Sequence, residues 1–246
     1  MSALFFRPTL FARFSEVVAL HSLRDPSRPD GFSMLHGAPD EVLDANRAAF
    51  VREAGFEPGR LAFPRLEHSK RVVELSNEFS LSDRPAGDAI LTDKPGWLIG
   101  VTVADCVVVL LYDPAHHAIG AAHSGWRGSA ANVAGAAITA MRQHYHTEPS
   151  QLYAYVSPAP ARDEYEVGFD EVAAKFEPKY STRERGGKAW FDNQAVVYDQ
   201  LLAAGVPAKQ IERDRRSTIA DPHFHSYRRD GRAAGRMLVA IGVRAV

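Results

Sequence analysis

The chain has a single cysteine in 246 residues. No disulfide can form within it, so its stability requires no oxidising compartment. It also lacks an apolar run long enough to span a bilayer. The N-terminal stretch MSALFFRPTLFARFSEVVAL is interrupted by Arg7, Arg13 and Glu16, which leaves no uninterrupted apolar segment of the kind a secretory leader needs. Strong charge of one sign is missing too: 29 Lys+Arg against 30 Asp+Glu leave a net charge of −1. That argues against nucleic acid or a membrane surface as partner. Repeats, low-complexity segments and linkers are absent. These absences imply a cytoplasmic protein folded as one domain over residues 1–246.

What is present suits that expectation. Hydrophobic residues make up 46% and charged residues 24% of the chain, as in ordinary globular proteins large enough to bury a core without staples. APDEVLDANRAAFVREAGF reads as a helix, with Pro39 and Asp40 in its first turn and Gly55 at its end. SAANVAGAAITAMRQHY and FDNQAVVYDQLLAAGV read as two more, the latter capped by Asp192 and stopped at Gly205. RVVEL, GWLIGVTVADCVVVLLY, HAIGAAH, LYAYV and MLVAIGV read as strands. Some strands follow one another directly and others are separated by helices. This pattern predicts an α/β sandwich built on mixed sheets rather than one doubly wound parallel sheet.

The cysteine, Cys106, lies inside one of these apolar runs, where a thiol ordinarily serves as packing. The next strand ends in His123. Asp113 and Pro114 suit a tight turn between the two strands. If Tyr112 and His117 close that turn, Cys106 falls directly opposite His123 on the same sheet face, with Cβ atoms about 4.5–5.5 Å apart. A thiolate and an imidazole at that separation can share an ion or a proton. Zinc takes such ligands, and an open catalytic zinc site uses three protein ligands. His68, in RLEHSKRVVEL, is the candidate for the third. After His123, the HSGWRGS segment runs from a strand into a helix. Ser124, Gly125 and Arg127 there are candidates to hold an anion at a helix start. FHSYRRDGRAAGR concentrates Arg228, Arg229, Arg232 and Arg236 beside Ser226 and Tyr227, a group suited to an oxyanion or to base stacking.

TVADCVVVLLYDP, IGAAHSGWRG, EHSKRVVEL, GDAILTDKPGWLIG and FHSYRRDGRAAGR together resemble the laccase-domain family, also called multicopper polyphenol oxidoreductases and read as zinc-dependent purine nucleoside phosphorylases. The resemblance runs from about Leu20 to Val243 and implies the sandwich fold of that family. It implies that His68, Cys106 and His123 are metal ligands and catalytic residues, with Asp105 supporting them from behind. It further implies a contact near the active site from Arg24, beside the phosphate- or substrate-binding candidates Ser124, Gly125, Arg127, Ser226 and Arg228 already named. The implied activities are phosphorolysis of adenosine, inosine, guanosine and methylthioadenosine, together with adenosine deamination. The cofactor would be Zn2+ rather than copper, with inorganic phosphate as co-substrate. The chain departs from the family at Leu66-Glu67-His68-Ser69, where Gln-Val-His-Gly is common. It departs again at Glu164 and Ser217, where cysteines are frequent.

Three other readings compete. Cys106 with His123 or His68 could form a metal-free cysteine hydrolase. A copper-dependent polyphenol oxidase would require further clustered histidines, and His144/His146 and His223/His225 are the only His-x-His pairs. A non-catalytic ligand-binding relative is the third.

Overall fold

The computed structural model describes residues 4–75 and 79–245. Among the described residues, fourteen strands form three sheets. The first sheet contains β1 (Phe5–Phe6), β2 (Val17–Ser22), β14 (Met237–Val243), β6 (Leu98–Val103) and β3 (Leu61–Ala62), in that spatial order. The second contains β13 (Ile211–Arg213), β9 (Tyr153–Val156), β7 (Val107–Asp113), β8 (Ala118–Ser124), β5 (Ala89–Thr92) and β4 (Val72–Glu74). A small third sheet joins β10 (Glu166–Gly168), β12 (Lys188–Phe191) and β11 (Ser181–Arg183). The two large sheets are mixed: β3 runs parallel to β6, β4 to β5 and β13 to β9, while the other pairs are antiparallel.

The two large sheets face each other. Val101, Val103, Val239 and Ile241 of the first meet Val108, Leu110, Tyr112 and Ile119 of the second in one apolar cluster. The alternate residues point outward and are covered in turn. Val18, Leu20, Leu238 and Ala240 pack under α1 (Asp40–Ala54) through Phe50, Val51 and Ala54. Val107, Val109, Leu111 and Ala122 pack under α3 (Val133–Tyr145) and α4 (Asn193–Ala203) through Ile138, Met141, Val197 and Leu201. The layers are therefore helix, sheet, sheet, helix. Strands buried on both faces have no solvent side to alternate toward, which is why they read as continuous apolar runs.

Several expectations need correction in detail. GWLIGVTVADCVVVLLY, β-rich as expected, divides into two strands in different sheets: the chain leaves the first sheet after Val103 and enters the second at Val107. The helix expected over SAANVAGAAITAMRQHY is interrupted. A five-residue α2 (Trp126–Ala130) ends before Asn132, which turns left-handed (φ 57°) and caps α3 by accepting the Gly135 N–H. The β7–β8 turn closes on Asp113 and Ala118, not on Tyr112 and His117. The pairing is thereby offset, so His123 sits opposite Val108 and Cys106 is its diagonal neighbour. Because side chains alternate with period two, this offset keeps Cys106 and His123 on one face. Among the described residues no helix is long and apolar enough to cross a membrane.

Two buried histidines, His21 and His225, each leave Nε2 without a hydrogen-bond partner. His21 stacks on Phe6 at 4.7 Å and donates from Nδ1 to the Ser22 carbonyl. Burial lowers both imidazoles from 6.5 to about 4. Arg216 adds to this at His21 against the opposing pull of Asp214, and Arg24 and Arg236 add to it at His225 against Asp230. The unfolded chain binds these protons first, so stability is complete above the ordinary value near 6.5 and falls as pH drops toward 4. The loss should reach on the order of 3 kcal/mol per histidine. Thermal unfolding followed between pH 7 and pH 4 should show this decline, and His21→Phe should reduce its slope; an unchanged slope would remove His21 as a cause.

Candidate metal centre

The site forms where the two large sheets meet. Ala104, Asp105 and Cys106 carry the chain from β6 to β7, and Asp105 takes a left-handed backbone (φ 88°) that a non-glycine residue rarely adopts. Its carboxylate holds the bend in place. Oδ1 accepts from the Thr218 hydroxyl and Oδ2 from the Arg228 N–H, each at 2.7 Å. Asp105 thus ties the crossover to the C-terminal segment, which begins α5 (Tyr227–Asp230) beside it.

Cys106, His123 and His68 converge at this point. Their ligand atoms all lie within 4.8 Å of one another, and His68 is exposed, Cys106 half-buried and His123 buried. The two imidazole rings are 5.1 Å apart and nearly perpendicular. Gly125 packs against the thiol: a Cβ there would lie 2.8 Å from Sγ and 3.6 Å from the His68 ring. Only glycine leaves room for the sulfur.

The residue that organises the group is Asp88, fully buried just before β5. It accepts from the backbone N–H groups of Glu67, His68 and Ser69 at 3.3, 3.0 and 2.6 Å, and from the Ser69 hydroxyl at 2.8 Å. It also accepts from His123 Nδ1 at 3.0 Å. Three successive N–H groups aimed at one carboxylate fix the left-handed turn at His68 (φ 58°). The bond to Nδ1 fixes the His123 ring and turns Nε2 toward the Cys106 sulfur. Burial alone would raise the Asp88 carboxyl; the hydrogen bonds from His123 and Ser69 hold it far below the usual carboxylate range. In the same way burial would raise the Cys106 thiol, but His123 and His68 bring it down to about 6, so the thiolate is favoured. Burial would lower His123, but the Cys106 thiolate and Asp88 raise it.

A thiolate and two imidazoles, one oriented by a buried carboxylate, are a donor set that fits zinc. The residues stand beside a cavity of about 1000 Å³, lined also by Phe63, Leu66, Tyr165, Tyr227 and Arg228. The Arg228 guanidinium lies 5.0 Å from the Tyr165 ring centroid.

The other sequence-nominated residues are placed differently. Ser124 is fully buried and bonds Ser129 through its hydroxyl, while its carbonyl accepts from Asn193. Ser226 is buried and caps α5 by accepting the Arg229 N–H. Arg24 reaches the Pro222 carbonyl at 3.2 Å. Arg127 lies over the Trp126 ring at 4.1 Å and 3.9 Å from Glu171, with over half of its side chain exposed. None of these four lines the cavity. The helix start expected after His123 belongs to the five-residue α2, too short to build an appreciable dipole. The sequence reading passed over Asp88. Its one signal is position: an acid directly after Gly87 and directly before the apolar AILT strand, where a carboxylate is buried only if several donors meet it.

Asp88→Asn keeps the shape but removes the charge and turns one acceptor into a donor. Zinc affinity should fall about 10–100-fold. Competition against a chromophoric chelator measures this, and wild-type affinity in the variant would contradict the role assigned to Asp88.

A family model described as multi-copper polyphenol oxidoreductase laccase matches residues 32–244. A purine nucleoside phosphorylase of Bacteroides thetaiotaomicron is 37% identical over 162 residues, which span 63% of this chain and 60% of that protein. A protein named adenosine deaminase RL5, from an unknown prokaryotic organism, is 33% identical over 215 residues, 81% of each chain. The crystal structure of YlmD from Geobacillus stearothermophilus superimposes with a TM-score of 0.89 at 26% identity, covering 100% of this chain and 98% of that one. With its mixed-sheet sandwich and a family match across most of its length, the chain belongs to the multi-copper polyphenol oxidoreductase laccase family.

Proposed function

We propose that the chain, as one domain, is a zinc-dependent purine nucleoside phosphorylase that also deaminates adenosine. Adenosine, inosine, guanosine and methylthioadenosine would be its substrates. The observation that carries this reading is the convergence of His68, Cys106 and His123 at a cavity large enough for a nucleoside. The relatives named for phosphorolysis and deamination support it. Zinc held by the three side chains would supply Lewis acidity toward a water or phosphate oxygen. The rest is the work of the protein. Cys106 serves as a thiolate and offsets part of the cation's charge. Asp88 accepts from Nδ1 of His123, which would leave Nε2 as the nitrogen that holds the metal. Tyr165 and Tyr227 offer aromatic surfaces for a purine. Phosphorolysis breaks the bond between base and ribose as phosphate joins the anomeric carbon. Deamination replaces the purine amine with oxygen from water.

The lowered Cys106 thiol beside His123 also suits a metal-free cysteine hydrolase. Copper-dependent phenol oxidation by a multicopper centre needs more ligand clusters, and among the described residues these three side chains form the one such group.

The test is incubation of purified zinc-loaded protein with adenosine, with and without phosphate, followed by separation of the products. Ribose 1-phosphate and adenine should appear only with phosphate, and inosine without it. Absence of any purine product from adenosine, inosine and methylthioadenosine would overturn the reading. Cys106→Ala should lose most of the bound zinc by elemental analysis. His68→Ala and His123→Ala should each lower both activities by on the order of a hundredfold or more. Zinc should also protect Cys106 from iodoacetamide; turnover by the metal-stripped enzyme would favour the hydrolase instead.

A further inference from the structure

The walls of the cavity beyond the triad carry positive charge that the metal site does not use. His36, Arg47, Arg65, Arg84 and Arg236 all line it. Arg65 is neutralised by Glu67 at 3.1 Å. Arg47 bonds the Met34 carbonyl and the exposed Asp44, but its Nε is buried without a partner. Arg236 gives one nitrogen to the carbonyls of Ala234 and Gly235, each at 2.9 Å, and meets no carboxylate among the described residues. Arg84 has neither a hydrogen bond nor an ion pair among the described residues; its guanidinium rests 4.9 Å from the centroid of the Phe63 ring. Asp40 lines the same wall but pairs with none of these cations.

The cations also press on one another. Burial, then Arg47 and Arg65, holds the Arg84 guanidinium below its usual value. Burial, then Arg236 and Arg84, does the same to His36. Burial lowers Arg236 as well, against the pull of the Cys106 and Asp105 charges, so Arg236 links this cluster to the triad. Half-buried cations without counter-ions are costly in a free chain. A neutral ligand does nothing to offset that cost, whereas the two oxygens of a phosphate match the guanidinium fork.

We infer that this part of the cavity binds a phosphate dianion, with Arg84 and Arg236 as its main donors and His36 and Arg47 beside them. The phosphate is either free orthophosphate or the phosphate group of a nucleotide. The inference rests on the phosphorylase reading for how the anion is used, but not for its binding.

The test is calorimetric titration of the zinc-loaded full chain with inorganic phosphate in low-salt chloride buffer. Arg84→Gln and Arg236→Gln should each weaken binding by about tenfold or more, the scale of a lost charge-assisted contact. Arg127→Gln, at the arginine the sequence pattern nominates, should change it by less than about twofold. Arg84→Lys keeps the charge without the fork and should fall between wild type and Arg84→Gln. Thermal unfolding and zinc content confirm the fold of each variant. If Arg236→Gln does not fold, Arg84, which holds no hydrogen-bond partner, carries the test. Competition by AMP but not adenosine would assign the phosphate carried on a nucleotide; competition by neither would assign free orthophosphate. Wild-type phosphate affinity in both glutamine variants, or no binding to wild type, overturns the inference. Phosphate-dependent nucleoside cleavage with an unchanged phosphate KM in those variants would sink this inference and leave the phosphorylase reading standing. Phosphate binding through these arginines without nucleoside cleavage would do the reverse.

Discussion

The site depends on one buried carboxylate. Stripping Asp88 of water is expensive, and only a dense set of donors offsets that expense. The turn from Glu67 to Ser69 supplies three N–H groups and a hydroxyl, and His123 supplies its ring N–H. In meeting that demand, the turn is forced into the left-handed conformation that projects His68, and the His123 ring is locked at the end of β8. Both histidines are therefore placed by one anion. The fold itself thus holds the two imidazoles and the thiol with their ligand atoms within 4.8 Å of one another.

The position of Cys106 depends on topology. Strands of both large sheets are covered on both faces, and nearly all their side chains are closed to solvent. A thiol within such a strand would be inert packing. Cys106 escapes this because it belongs to the short crossover between the sheets, where the layers part and the cavity begins. Asp105, bent left-handed and tied to Thr218 and Arg228, sets the direction of that crossover. The same ties bring Tyr227 and Arg228 to the cavity wall. One aspartate thus shapes both the corner that holds Cys106 and part of the cavity wall.

Much of this was legible in the sequence because it rests on local chemistry. Helix α1 begins at Pro39 and Asp40 and stops at a left-handed Gly55, as its residues demand. The pairing of Cys106 with His123 on one face survived an error in the turn, since an offset of two positions preserves side-chain parity. The break between Ala130 and Val133 was harder to see: Asn132 must take a left-handed conformation and cap its own helix, and the surrounding alanines mask it. Asp88, Arg47 and Arg84 were not legible, whereas Arg228 and Arg236 belong to the arginine-rich segment that the sequence singles out for an oxyanion. The roles of the first three come from segments distant in sequence, such as 34–47, 81–88 and 236, meeting at one cavity. Charge-rich segments close to the cysteine drew attention instead, and Arg127 in fact stacks on Trp126 away from the cavity.

The departures from the family pattern change the surroundings of the site but not its frame. Ser69 stands where glycine is common, and its hydroxyl adds one more donor to Asp88. Glu164 and Ser217 each replace a frequent cysteine, and in the fold the two are hydrogen-bonded to each other. That pair joins the turn before Tyr165 to the segment bearing Thr218, which in turn holds Asp105. The wall beside Cys106 is therefore tied together by a carboxylate and a hydroxyl. With those positions free of thiols, Cys106 is the only sulfhydryl in the chain. Any thiol-directed reagent, and any shift in thiol absorbance on metal addition, therefore reports on this site alone.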